Sequence, residues 1–314
     1  MACFTYGLVP STPRSLGIMK KAARRHFLIL ALLGATVTAL APPAIAQADA
    51  NATQAKRVVT LGGSVTEIVY ALGQEARLVG NDISSIYPDA ANQLPRVGYY
   101  RSVPIEGVAA LRPDLVIASE QAGPPDVLAR LAKLGIPVKT VSDRPSVDSL
   151  NQRIDEIAVA LGTPAEGKQL TAEIAQSLQA VDALPASNAR ALLIMNRTGA
   201  PQGAGAGTAA NLVLERAGLD NVLKTQKGYL PLSAEGLTTL APEVIVVTQA
   251  SLGASGGLDK IRALPGLAHT PAVKNNCIVV MDDLLALGTG PRFPLAIREL
   301  KETPCIAGLS RRAP

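Results

Sequence analysis

Gly98-Tyr99-Tyr100-Arg101 is the stretch of this sequence best equipped for chemistry. A phenol becomes a strong ligand for a hard ferric ion only as the phenolate, and tyrosine's ordinary pKa of about 10 works against that form. A neighbouring guanidinium favours the anion. A Tyr-x-Arg unit on a loop therefore carries an iron-binding oxygen with its own charge partner, and tyrosine is one of the axial ligands that hold haem iron. The same four residues would serve equally as a packed tyrosine pair on a lobe surface beside a solvated arginine. The tetrapeptide alone leaves both readings open.

Three other places could touch a ligand. Gly199-Ala200-Pro201-Gln202-Gly203-Ala204-Gly205-Ala206-Gly207-Thr208 precedes a predicted helix, so its N–H groups could receive a carboxylate. It lacks the Gly-Lys-Ser/Thr ending of a phosphate loop, which excludes a P-loop nucleotide site and leaves a flexible pocket rim as the other reading. Arg292, in Gly290-Pro291-Arg292, stands at the entry of a predicted helix, either meeting a ligand carboxylate or lying on the surface. His269, in Leu267-Ala268-His269-Thr270-Pro271, has a turn-like setting. No Gly-x-Ser-x-Gly elbow accompanies it, so the chain does not read as an enzyme. A zinc or manganese site would draw on several histidines and carboxylates, which a single late histidine does not supply.

The elements that must position these residues alternate strand and helix. Arg57–Leu61 reads as a buried strand, and Ser64-Val65-Thr66-Glu67 as a capping box opening a helix with Ile68, Val69 and Leu72 on its apolar face. Leu78–Gly80, Leu115–Ala118, a helix over Asp126–Leu134 and Val138–Val141 continue the βαβ rhythm of a parallel sheet covered on both faces. Ser146 to Leu184 reads as helix only, broken at Gly162 and Pro164. Twenty helical residues span about 30 Å, enough either to bridge two lobes or simply to cover one. The rhythm resumes with Ala191–Met195, a loop over Arg197–Thr208, a helix over Ala209–Ala217, Val244–Val247, Ile278–Met281 and a helix from about Pro294 to Lys301.

One unit recurs. Glu106-Gly107, Leu111, Pro113-Asp114 and Leu115-Val116-Ile117 are matched by Glu235-Gly236, Leu240, Pro242-Glu243 and Val244-Ile245-Val246, each 129 residues downstream. A repeated acid-Gly, helix, Leu-x-Pro-acid, strand unit predicts two similarly built α/β lobes, each with a mostly parallel sheet flanked by helices. The expected division is a leader over 1–46, a disordered start over 47–56, an N-terminal lobe over 57–145, a helical connector over 146–184 and a C-terminal lobe over 185–314.

Lys20, Lys21, Arg24 and Arg25 precede an apolar run from Phe27 to Leu40, and Ala44-Ile45-Ala46 offers a cleavage site. That is the layout of a secretory signal peptide, and Arg24-Arg25 also fits a twin-arginine signal. Export by the Sec or the twin-arginine route follows, to the periplasm, with no integral membrane segment left in the mature chain. The leader takes five basic and no acidic residues, so of 30 basic residues 25 remain against 25 acidic ones. The +5 of the whole chain belongs to the leader. A mature chain of zero net charge lacks the basic footprint of a nucleic-acid binder. Cys277 and Cys305 remain beyond the leader, either joined or as two thiols.

Taken together these motifs resemble the periplasmic haem-binding proteins of bacterial haem ABC importers, within the group that binds cobalamin and ferric siderophores. The resemblance covers nearly all of the mature chain. It rests on Leu61-Gly62-Gly63-Ser64-Val65-Thr66-Glu67-Ile68, Val97-Gly98-Tyr99-Tyr100-Arg101, Glu106-Gly107 through Pro113-Asp114, Gly207-Thr208-Ala209-Ala210-Asn211, Gly228-Tyr229-x-Pro231-Leu232-Ser233-Ala234-Glu235, Met281-Asp282-Asp283 and Gly290-Pro291-Arg292. It implies a periplasmic binding protein of the helical-backbone type, a monomer that takes haem between its lobes. By this resemblance Tyr99, seven residues before Glu106, is the iron ligand, and Arg101 steadies its phenolate or a haem propionate. Gly207 and Thr208, in the loop whose N–H groups could receive a propionate, and Arg292 are the further candidate haem contacts. Some relatives add a histidine from the second lobe, where this chain reads Met195-Asn196-Arg197-Thr198. Glu106 and Glu235 match the lobe-tip acids that dock on an ABC permease dimer carrying its ATPase subunits. As helix-start acids they also suit the macrodipole. The alternative implied by the same group is a ferric-siderophore or cobalamin receptor.

Overall fold

In a computed structural model the described residues are 55–196 and 200–310. The predicted leader, most of the predicted disordered start and Arg197 to Gly199 lie outside them. The described residues belong to one compact unit.

The first half places β1 (Val58–Leu61), α1 (Gly63–Ala71), β2 (Leu78–Asn81), α2 (Ile105–Ala110), β3 (Leu115–Ser119), α3 (Pro125–Lys133) and β4 (Val138–Val141) in succession. Its four strands form an all-parallel sheet in the order β2-β1-β3-β4. Every residue of β1 and β3 is buried, as a parallel sheet covered on both faces requires. Alternate side chains serve different cores. Val59, Leu61 and Val116 pack with Val97, Val108 and Leu131. Val58 and Ile117 face Ile68, Ile154 and Leu178 instead.

Two helices follow, α4 (Val147–Leu161) and α5 (Pro164–Asp182), separated at Gly162 as the sequence predicts. Gly162 adopts φ 73°, the left-handed C-cap that ends α4. Helix α4 packs on α1 and β4, while α5 packs on α4 and on the second-half helix Phe293–Glu302.

The second half contains β5 (Arg190–Met195), β6 (Gln202–Ala204), α6 (Ala209–Arg216), β7 (Asp220–Asn221), β8 (Tyr229–Pro231), α7 (Ala234–Leu240), β9 (Val244–Thr248) and α8 (Gln249–Ala254). It closes with α9 (Leu258–Arg262), α10 (Pro271–Lys274), β10 (Ile278–Met281), α11 (Asp283–Leu287), α12 (Phe293–Glu302) and α13 (Pro304–Ser310). Strands β10, β9 and β5 run parallel, β7 pairs with β5, and β6 and β8 join antiparallel at the edge. Strand β6 lies where the sequence predicts only loop. Its Gln-Gly-Ala has low strand propensity, and it pairs because a bare Gly203 admits Leu223 and Leu232 against the backbone.

A single apolar cluster runs from the first sheet through α4 and α5 to the second sheet, joining Val58, Ile154, Ile157, Leu178, Leu193 and Phe293. A disulfide between Cys277 and Cys305 ties the start of β10 to α13.

The repeat extends to the backbone. Arg57 donates to the carbonyls of Leu111 (2.7 Å) and Arg112 (3.1 Å), capping the C-terminus of α2. Arg190 donates to Leu240 O (2.6 Å) at the end of α7. Asp114 Oδ1 accepts from Arg57 N (2.9 Å), and Glu243 Oε2 from Arg190 N (3.0 Å). Arg112 and Ala241, again 129 apart, both adopt positive φ, 45° and 40°.

Candidate functional site

A cleft of about 810 Å³ opens between the two sheets, within the ~300–1,000 Å³ common for ligand pockets. One wall comes from the first half: Gly62-Gly63-Ser64 at the start of α1, Ile83, Ser84 and Ile86 after β2, then Tyr99-Tyr100-Arg101, Gln121 and Asp143. The facing wall comes from the second: Met195, Gly207-Thr208-Ala209 at the start of α6, Gly228-Tyr229, Ala250, and Asp283-Leu284 with Leu287-Gly288-Thr289. Tyr99, Arg101, Gly207 and Thr208 therefore share one cavity, although more than 100 residues separate the first pair from the second.

Local backbone chemistry sets the tyrosines. Gly98 holds φ 92°, where a side chain is strained, and a Cβ there would come within 3.0 Å of Pro104. Gly98 O accepts from Ile83 N (2.8 Å), and Tyr99 O accepts from Ser102 N (2.9 Å) in a tight turn. The two rings meet edge to face with centroids 5.1 Å apart. Their fates differ. Tyr99 is 37% exposed at the cleft. Tyr100 packs on the outer core of the first sheet, and burial pushes its hydroxyl well above the ordinary tyrosine value, with Arg101 only partly opposing. Arg101 lies 5.0 Å from the centre of the Tyr100 ring and donates to Gln121 Oε1.

Asp82 is a residue the sequence reading passed over. Fully buried, its carboxylate accepts from Gly62 N (2.9 Å), Ser84 N (2.9 Å), Ser85 Oγ (3.0 Å) and Tyr100 N (3.3 Å). One acid thus ties the start of α1, the loop after β2 and the tyrosine turn into a single wall. Its sequence context, Asn81-Asp82 in a predicted loop, carries no periodic signal that would mark it.

That bond also corrects the predicted capping box. Helix α1 is capped by Gly62 at φ 120°, with no side-chain cap, so Ser64 lies inside the helix. Ser64 Oγ instead accepts from Arg153 Nη1 (2.8 Å), and Glu67 turns to Arg292. The positive φ of Gly62 lets the chain pass straight from β1 into the helix, and Asp82 accepts from the N–H of that N-cap glycine.

Arg292 is not among the cleft-lining residues. Its backbone N–H and Nε donate to Glu67 Oε1 (3.0 and 3.1 Å), Nη2 reaches Asp282 (3.5 Å), and its guanidinium stacks 3.4 Å from the Tyr87 ring centre. Glu67 is 3% exposed, and burial raises its pKa from the ordinary carboxylate value, with Arg292 opposing. A second cross-half contact lies under the cleft floor. Arg153, on α4 and wholly buried, donates to Ser64 Oγ, to Ser142 O and to Thr289 O (2.9 Å), and pairs with Asp143 (2.9 Å).

On the far wall Thr208 caps α6: its Oγ1 accepts from Asn211 N (3.1 Å) and donates to Gly205 O (2.8 Å). The N-termini of α1 and α6 both meet the cleft, a setting that favours an anionic group. Glu106 and Glu235 do not line it and are exposed in the first turns of α2 and α7. Among the described residues no group of three or more His, Cys, Asp or Glu could hold a metal ion, and no helix is long and apolar enough to cross a membrane.

Comparison with known proteins agrees with this architecture. The sequence profile of the periplasmic binding protein family matches residues 58–285. The periplasmic heme-binding protein RhuT from Roseiflexus sp. RS-1 superposes with a TM-score of 0.76 at 35% identity, covering 81% of this chain and 99% of that one. The periplasmic heme-binding protein BhuT, solved with two hemes, gives 0.75 at 37% identity with the same coverage. Among curated sequences, the vitamin B12-binding protein of Yersinia pestis is 28% identical over 250 residues, 78% of this chain and 85% of that one.

Proposed function

The chain belongs to the periplasmic binding protein family, and from that premise we propose that it captures ferric haem in the cleft through a Tyr99 phenolate–iron bond and delivers it to an ABC importer. The observation that carries the reading is the division of labour between the tyrosines. Burial keeps Tyr100 a neutral phenol, while Tyr99 stands exposed at the cleft that Arg101 also lines. The similarity to heme-binding proteins such as RhuT and BhuT supports the same cargo.

The cleft residues fit the group. Ile83, Ile86, Met195, Leu284 and Leu287 offer apolar surface to a macrocycle. Gly207 and Thr208, at the start of α6, suit a propionate. Arg292, held by Glu67, would serve by fixing the cleft floor rather than by reaching the ligand. On this reading residues 57–145 and 185–314 are the lobes, 146–184 the connector and 1–46 a signal peptide for export to the periplasm. Glu106 and Glu235, one on each lobe, would meet basic residues of a two-fold permease, steering its approach more than adding affinity.

The test is titration of purified protein with hemin, wild type against Tyr99→Phe. Wild type is expected to give the charge-transfer bands of a tyrosinate–iron bond, and Tyr99→Phe to lose them. Bands that survive the substitution would refute the assignment. The likeness to a vitamin B12-binding protein makes cobalamin the rival ligand, and cobalamin binding without hemin binding would favour it.

A further inference from the structure

Leu284 lines the cleft, yet its side chain serves no core. Its neighbours in α11 turn inward: Leu285 and Ala286 are buried in the shared apolar cluster, and Leu287 packs against it. Leu284 itself is half-buried and belongs neither to the three apolar clusters nor to the residues packed on them. Two glycines make room for it. A Cβ on Gly63, in the first half, would lie 2.8 Å from Leu284 Cδ1, and one on Gly288 would lie 3.1 Å from the same atom. The side chain thus reaches from the second half to the first-half wall, wedged where a larger neighbour would collide. Its height is set from both halves. Leu284 N donates to Asp282 Oδ1 (3.1 Å), Arg292 Nη2 reaches the same oxygen (3.5 Å), and Arg292 Nε donates to Glu67 of the first half (3.1 Å).

We infer that Leu284 is a specificity-determining residue of the cleft: it stops the hydrocarbon edge of a flat tetrapyrrole and limits the size of the substituents on that edge. The inference takes the ligand class from the haem reading above and does not depend on the iron bond. A close-packed wall held on both sides cannot yield cheaply to added methylenes. One methylene too many in an apolar pocket is worth roughly 10–200-fold in discrimination. Leu284 is the side chain whose removal would open space between Gly63 and Gly288 while leaving the three cores untouched.

The test pairs a hole in the wall with a bump on the ligand. Iron-free protoporphyrin and an analogue carrying butyl groups in place of the vinyls are titrated by fluorescence into wild type, Leu284→Ala and Leu284→Met. The ferric forms of both are then titrated by absorbance. Wild type is expected to bind protoporphyrin at least about tenfold more tightly than the butyl analogue. In Leu284→Ala that ratio should fall by at least about tenfold, with the analogue bound more tightly than by wild type. Leu284→Met, of similar volume, should keep the wild-type order. Circular dichroism melts establish that each variant folds. If Leu284→Ala does not, Leu284→Val, with its smaller hole, should move the ratio in the same direction by less. A wild type that does not discriminate, a ratio unchanged by the hole, or an equal loss of both ligands would overturn the inference. A Leu284-dependent ratio for the iron-free pair, with no tyrosinate band for the ferric pair, would overturn the Tyr99 assignment and leave this inference standing. A wild type that binds cobalamin and neither porphyrin would overturn both.

Discussion

At the residue scale the cleft depends on two charged groups taken out of water. Glu67 holds its proton more tightly in the folded chain than in the unfolded one, because burial outweighs the help of Arg292. Its contribution to stability is therefore greatest below the ordinary value of about 4.5 and is lost as pH rises through the raised folded value. Urea midpoints measured from pH 4 to 8 should fall across that window in the wild type and flatten in Glu67→Gln. Arg153 is the costlier group to remove. Truncating it strands Asp143 and leaves Ser64 and Thr289 without their donor, so Arg153→Ala should destabilise by about 3 kcal/mol, the low end for a broken buried pair because Asp143 is partly exposed. Equilibrium urea unfolding reads this directly. Neither role was legible from the chain. Ser64 and Glu67 spell a capping box whose partners in fact lie 89 and 225 residues away, and pattern reading sees only neighbours.

At the scale of elements, most of the architecture was legible. Buried strands such as Val58–Leu61 and Val244–Thr248 are apolar runs broken only by a buried threonine, and Gly162 and Pro164 divide α4 from α5 as expected. The repeat announced itself through Leu-x-Pro-acid, but its cap did not. Arg57 and Arg190 perform the same task four residues out of step with the 129 spacing, so alignment of the two halves misses them. The edge strands β6 and β8 were hidden for another reason: they are three residues long and pair through glycine and proline. Of the residues that line the cleft, Tyr99, Arg101, Gly207 and Thr208 were candidates from the chain alone, while Asp82 and Gln121 make contacts that only folding creates. The turn before the tyrosines gives a sharp test. Gly98→Ala forces a side chain into positive φ against Pro104, at a cost of about 1–2 kcal/mol. Because the strain falls on the tyrosine turn, hemin affinity should drop more than thermal stability, as titration and melting of the same sample would show.

At the scale of the molecule, the disulfide and the shared core act together. Replacing Cys277 and Cys305 by serine should cost roughly 3 kcal/mol, the usual worth of closing a loop of this size, observed as a lower urea midpoint. Charge reversal of Glu106 and Glu235 together should leave hemin binding intact and slow uptake into vesicles bearing the importer. Both acids are exposed and neither lines the cleft.

The apolar cluster that threads both sheets through α4 and α5 has a mechanical consequence. Arg153 bonded to Thr289 and Glu67 bonded to Arg292 tie the two halves at the bottom of the cleft and oppose a clamshell swing. Only the rim is left to give. Cargo would then leave by a slight tilt at the mouth, and small-angle scattering should record almost the same envelope for the loaded and the empty protein.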